Sequence, residues 1–252
     1  MGIDLGNPAP HVALVTIANE PRRNAMSRAM LADLAALWDR LDTDAECRAV
    51  ILTGSGDKAF SAGADISGDM SASSETAHVV NRALLKDTPF TKPIVAAVNG
   101  DCIGGGIELL LSTDIRGTVP EARFGLPEVK WSIYPFGGAT VKLAQQIGHV
   151  HAMDLLLTGR LVDADFAARI NLVNLVVARP KLMGWALSVA ETIAANSPTA
   201  VQAVREQVST AIANHAKSRE ALEQALGDRV RASPHFAEGI AAFREKRRRD
   251  YS

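Results

Sequence analysis

The chain is poor in the features that mark several large protein classes. Its two cysteines, Cys47 and Cys102, lie in apolar contexts with no CxxC spacing, which excludes a disulfide framework and a zinc ribbon. Its six histidines (His11, His78, His149, His151, His215, His235) form no ligand pattern; His149 and His151 are two apart and would diverge on a helix, so no metal is expected. There is no apolar run of about 18 residues, so no membrane contact is predicted. The opening "MGIDLGNPAPHVALVTIANE" has no basic start leading into a long apolar stretch, so the expected location is cytoplasmic. An excess of one charge is missing too: 27 Lys and Arg face 28 Asp and Glu, for a formal charge of −1. No global field recruits nucleic acid or an anionic surface.

What remains is the composition of an ordinary globular domain, 47% hydrophobic and 22% charged over 252 residues. "HVALVTIA" and "RAVILTG" are short β-branched runs. Between them Met30, Leu31, Leu34, Leu37, Trp38 and Leu41 recur at helical spacing. "TKPIVAAVNG" predicts a further buried strand and "GGGIELLLS" a helix, so residues 11–180 predict an α/β core. After Pro180 the pattern becomes helical throughout, with breaks at Ser197-Pro198 and Ser233-Pro234. No composition-biased linker divides the two parts, so they are expected to pack on each other or on a neighbouring subunit.

The puzzle lies in "NGDCIGGGIELLLSTDI", which places three glycines and Glu108 inside an apolar run. Glycines weaken an element and a buried carboxylate is costly. Two glycine-containing turns each follow a predicted strand, "FSAGADI" (60–66) and Gly104 to Gly106. One backbone N–H from each, aimed at one carbonyl oxygen, would make an oxyanion hole, where a single donor contributes about 3 kcal/mol. Glu128, held by Pro127 in "GLPEVKW", supplies a second carboxylate. Two carboxyl groups beside a polarised carbonyl suit proton transfer at the neighbouring carbons. The competing explanations are plain: Glu108 faces solvent from a helix, and the glycines permit close strand–helix packing. No nucleophile paired with a base stands out.

The blocks "NEPRRNAMS" (19–27), "AFSAGADI" (59–66), "NGDCIGGGIELLLSTDI" (99–115), "FGLPEVKWSIYPFGG" (124–138), "LLLTGRLVDADFAARINLVNLVV" (155–177) and "EGIAAFREKR" (238–247) resemble, in order and spacing, the enoyl-CoA hydratase/isomerase (crotonase) superfamily. The resemblance spans nearly the whole chain. It implies the α/β crotonase (ClpP/crotonase-like) spiral of ββα units over residues 1–180, and a helical region at 181–252 that forms homotrimers, often paired as hexamers. The oxyanion amides would be those of Ala64 and Gly105, and the hydratase glutamates Glu108 and Glu128. Coenzyme A, a part of the substrate, would meet Arg22, Arg23, Asn24, Ala25, Ala62, Ala64, Asp65 and Ile66. Phe243 and Lys246 would reach a neighbouring subunit's CoA. No separate cofactor is implied.

The implied reaction is reversible addition of water across the 2,3 double bond of an enoyl-CoA. Glu108 would activate water for attack at C3 and Glu128 would exchange the proton with C2. Three departures stand out. Phe136 occupies the place of a family glycine and is expected to narrow or reshape the acyl end. Asn171 replaces another glycine, at a residue type that tolerates positive φ. The ending "EKRRRDYS" lacks the usual proline. The rival readings are another acyl-CoA reaction of the superfamily, isomerisation or carnitinyl-CoA-type dehydration, and a non-catalytic CoA- or RNA-binding module resting on the basic tail.

Overall fold

In a computed structural model, residues 1–65 and 74–252 are described. Ile66 lies outside them. The elements run β1 (Gly2–Ala9), β2 (Val12–Ala18), α1 (Arg28–Thr43), β3 (Ala49–Gly54), β4 (Ala59–Ser61), α2 (Ser74–Ala83), β5 (Ile94–Val98), β6 (Asp101–Ile103) and α3 (Gly105–Leu110). They continue with β7 (Ile115–Thr118), β8 (Arg123–Gly125), a 3-10 turn (Pro127–Trp131), α4 (Ala139–Ile147), α5 (His149–Thr158), β9 (Val162–Asp163), α6 (Ala164–Arg169) and β10 (Leu175–Val176). Three helices close the chain: α7 (Arg179–Ala195), α8 (Pro198–Arg231) and α9 (Pro234–Glu245).

Strands alternate between two sheets. One has the order β1-β2-β3-β5-β7-β10 and the other β4-β6-β8-β9. From β3 to β8 the chain lays a strand in the first sheet and the next in the second, and returns through a helix; β9 then pairs antiparallel with β8 in the second sheet before β10 closes the first. This is the spiral of ββα units. Among the described residues of the larger sheet only β1 and β2 pair antiparallel, and the register Val15–Leu52–Ala96–Arg116 runs through its parallel centre. β3 and β5 are buried along their whole length, as parallel strands covered on both faces must be.

α7 covers β3, β5 and β7. Trp38 of α1 meets Phe90 in a tilted pair at 5.2 Å and donates its indole N–H to the Ala83 carbonyl at 2.9 Å, which satisfies the one polar atom of a fully buried ring. The sequence foresaw β2, α1, β3, β5 and α3. It missed β1, whose "GIDLGNPA" carries two glycines and a proline and is held by pairing with β2. α8 runs unbroken for 34 residues, capped by the Ser197 hydroxyl. Asn171 takes a φ of 61° just after α6, the conformation its glycine-like role requires.

Candidate active site

The two glycine turns meet where the sheets approach. Residues 22–26 and 61–65 zip together: Ala62 N–H donates to Arg23 O (3.0 Å), Met26 N–H to Gly63 O (2.8 Å) and Asp65 N–H to Met26 O (2.9 Å). Gly63 N–H is taken by the Ser61 hydroxyl at 3.1 Å. Among the described residues this leaves the Ala64 N–H without a partner. Gly105 opens α3, so its N–H has no carbonyl to accept it within the helix. A Cβ on Gly105 would lie 3.3 Å from the Ala64 nitrogen, and one on Gly63 would lie 2.7 Å from the Gly105 nitrogen. A side chain at position 63 is excluded there, and one at 105 would be tight, so the glycines let the two unpaired amides come close.

Each glycine of the triplet answers to a different neighbour. Gly104, at φ 58°, leaves room for Glu128, whose Oε1 would be 2.8 Å from a Cβ there. Gly105 faces the Ala64 amide, and Gly106 faces the Ser61 carbonyl at 2.5 Å from a would-be Cβ. Close packing accounts for the third glycine alone.

Glu108 points inward from α3 and is 6% exposed. Its Oε1 accepts the Gly137 N–H at 2.6 Å, and a Cβ on Gly137 would overlap the other carboxyl oxygen. Burial, then the nearby charge of Glu128, pushes its pKa up to about 8, against the pull of the Gly137 N–H. Glu128 sits on the 3-10 turn, half-buried, with Oε2 shielded from water and lacking a hydrogen-bond partner. Burial raises it to about 7. Near neutral pH the pair can both hold and release a proton, as acid–base work requires. Among the described residues no group of His, Cys, Asp and Glu is arranged to hold a metal.

Arg22, Arg23, Ala25, Ala62 and Asp65 are brought together beside Ala64 by the zip. Arg22 pairs with Asp65 and Arg23 with Asp101, each at 3.5 Å, and both guanidinium groups remain more than half exposed. Asn24 needs correction as a CoA contact. Its side chain is fully buried, donating to Ser55 O and Ala59 O at 2.9 and 2.7 Å and accepting from Asn19 N–H at 2.9 Å. It ties the first loop to β4. Phe243 and Lys246 lie at the end of α9, which packs on the Glu128 turn; Phe243 meets Trp131 edge-on at 5.2 Å.

Phe136 is fixed by α8. Its ring meets Tyr134 at 5.3 Å and the Arg231 guanidinium at 4.4 Å, and fills the space that a Cβ on Gly227 would occupy. Sequence inspection missed two supports of the site, the Gly137 N–H and a buried charge cluster behind it. Lys86 Nζ lies 2.6 Å from both Glu220 and Glu223, with its stem 3.1 Å from a would-be Cβ on Gly138. The glycine pair in "PFGG" was the available signal for the first; nothing local in the sequence links Lys86 to α8.

With the geometry in place, the sequence profile of the enoyl-CoA hydratase/isomerase family matches residues 9–252. The chain belongs to that family. It is 38% identical over 244 residues to enoyl-CoA hydratase EchA19 of Mycobacterium tuberculosis, covering 94% of this chain and 91% of the relative. It is 34% identical over 247 residues to mevalonyl-coenzyme A hydratase sidH of Aspergillus fumigatus, covering 96% and 91%. The crystal structure of carnitinyl-CoA hydratase from Mycobacterium avium superposes with a TM-score of 0.91 at 31% identity, covering 100% of this chain and 98% of the other. The fold is therefore that of the crotonase enzymes.

Proposed function

We propose that the protein is an enoyl-CoA hydratase that adds water reversibly across the 2,3 double bond of an acyl-CoA thioester. The observation that carries this is the convergence of two unpaired amides, Ala64 and Gly105, with two buried carboxyl groups of raised pKa. The amides draw charge onto the thioester oxygen, which makes C3 electrophilic and stabilises the enolate-like state. Glu108, held by Gly137, orients and deprotonates water for attack at C3. Glu128 delivers the proton to C2. Dehydration runs the same steps backwards. CoA binds along Arg22, Arg23, Ala25, Ala62, Ala64, Asp65 and Ile66, with Arg22, Arg23 and a neighbouring subunit's Lys246 toward its phosphates, in a trimer or a pair of trimers.

Two retained glutamates favour this over isomerisation, which needs one proton carrier, and over a binding-only module, which needs none. The test is turnover of an enoyl-CoA panel, followed by loss of the conjugated thioester absorbance. Glu108→Gln and Glu128→Gln should each lower kcat by about 100- to 10,000-fold with CoA binding intact. Wild-type inactivity at every chain length would sink the hydratase reading and direct attention to isomerase and dehydratase substrates.

A further inference from the structure

The last residues of the chain fold back onto the turn that carries Glu128. α9 lies against Pro127–Trp131, and Gly239 brings the helix so close that a Cβ there would overlap the Trp131 carbonyl. Lys246 then adopts a left-handed conformation, φ 55°, which reverses the chain. Arg247 grips the Glu238 carboxylate with two N–H donors at 2.6 and 2.8 Å, and Asp250 N–H donates to the same carboxylate at 2.9 Å. These bonds return Tyr251 to the turn. Its hydroxyl donates to the Lys130 carbonyl at 2.9 Å, and its ring rests 5.3 Å from His235. Arg249 stands 5.5 Å over the Trp131 ring.

The turn packs between α5 and α9 and is short. Its closing bonds are Ile133 N–H to Glu128 O at 3.0 Å and Ser132 N–H to Val129 O at 3.5 Å, and 3-10 geometry gives poorer hydrogen bonds than an α-helix. Glu128 Oε2 has no partner of its own. The aim of that carboxyl group is therefore set by where the turn backbone sits, and Tyr251 holds the carbonyl two residues further on.

We propose that Tyr251 is a positioning residue for Glu128: its hydroxyl bond to Lys130 fixes the turn that presents the C2 proton carrier. This rests on Glu128 having that role. The experiment uses the full-length chain carrying Tyr251→Phe, which removes one oxygen and keeps the ring. Expected are a fall in kcat of about five-fold with KM unchanged, a larger isotope effect in dehydration of a C2-deuterated 3-hydroxyacyl-CoA, and faster amide exchange over residues 128–133. His235→Ala, which removes the ring neighbour and spares the hydroxyl bond, should leave the isotope effect as in wild type.

Unchanged kcat and unchanged exchange in Tyr251→Phe would overturn the positioning role and leave the two-glutamate mechanism standing. A fall in kcat with no change in the C2 isotope effect would also overturn it, since a loss of that kind is merely structural. If wild type hydrates nothing, the hydratase reading fails and takes the role of Glu128 with it; exchange in the variant then decides separately whether Tyr251 holds the turn.

Discussion

Glu108 and Glu128 carry the same chemical group in opposite settings. Glu108 stands on a helix at the junction of the sheets, 6% exposed, with a backbone donor at 2.6 Å. Glu128 stands on a 3-10 turn, half-buried, with one carboxyl oxygen unpartnered. Core packing fixes the first. The second depends on a turn propped from outside by α5, α9 and the chain end. The contrast suits a division of labour in which the fixed group places a water and the adjustable group follows a proton between water and carbon.

The sharpest way to break this contrast is to crowd each carboxyl group by one methyl. In Gly137→Ala the added carbon overlaps the Glu108 carboxyl. Displacing the proposed general base should lower kcat by about 100-fold, and Gly137 has no positive φ to make the change costly to the backbone. Gly104→Ala crowds Glu128 from a residue at φ 58°, ψ −125°, where a side chain adds strain of about 1–3 kcal/mol. Both variants should lose activity and stability, Gly137→Ala by overpacking against the buried Glu108 and Leu84 side chains and Gly104→Ala by backbone strain; melting curves measure both. An unchanged melting temperature in Gly137→Ala would mean that the Glu108 pocket yields as readily as the turn.

The pair can next be compared through pH. Each folded pKa lies above the usual 4.5, about 8 for Glu108 and about 7 for Glu128, with burial the main cause. The folded state thus binds these protons more tightly than the unfolded chain, so their contribution is fully present below about pH 4.5 and is lost as pH rises through 7 and 8. Glutamine keeps the shape without the charge. Glu108→Gln should therefore match wild type in acid and become more stable than wild type toward about pH 9, by about a few kcal/mol. Glu128→Gln should show the same trend with a smaller gap. Melting curves across pH measure it, and a gap that closes toward alkaline pH would reverse the sign.

The alternating strands and the glycine triplet were legible because their causes are local: β-branched runs make buried strands, and glycines mark where backbones or ligands come close. The same locality made Glu108 and Glu128 stand out as carboxyl groups in apolar or turn-rich surroundings. What stayed hidden depends on contacts distant in sequence. Asn24 read as a ligand contact, yet its partners Ser55 and Ala59 lie 31 and 35 residues away. Lys86 meets Glu220 across 134 residues, and β1 exists only through its pairing with β2. Phe136 was visible as an anomaly, but its explanation lies on α8.

That explanation sets the smallest of the expected effects. Gly227 lies within α8, where glycine costs about 1 kcal/mol relative to alanine in helix propensity. Gly227→Ala should then stabilise the protein unless the space is already taken. It is taken, by the Phe136 ring, so the substitution should destabilise. In Phe136→Ala the ring is gone and α8 loses its anchor, with a cost of about 1–2 kcal/mol for a half-buried ring. Adding Gly227→Ala to that variant should recover stability, because the methyl now enters vacated space and the propensity gain is realised. The double-mutant cycle should give a coupling of about 1 kcal/mol or more. A coupling near zero would show that Phe136 and Gly227 act independently, and would return the ring to the acyl pocket as its only role.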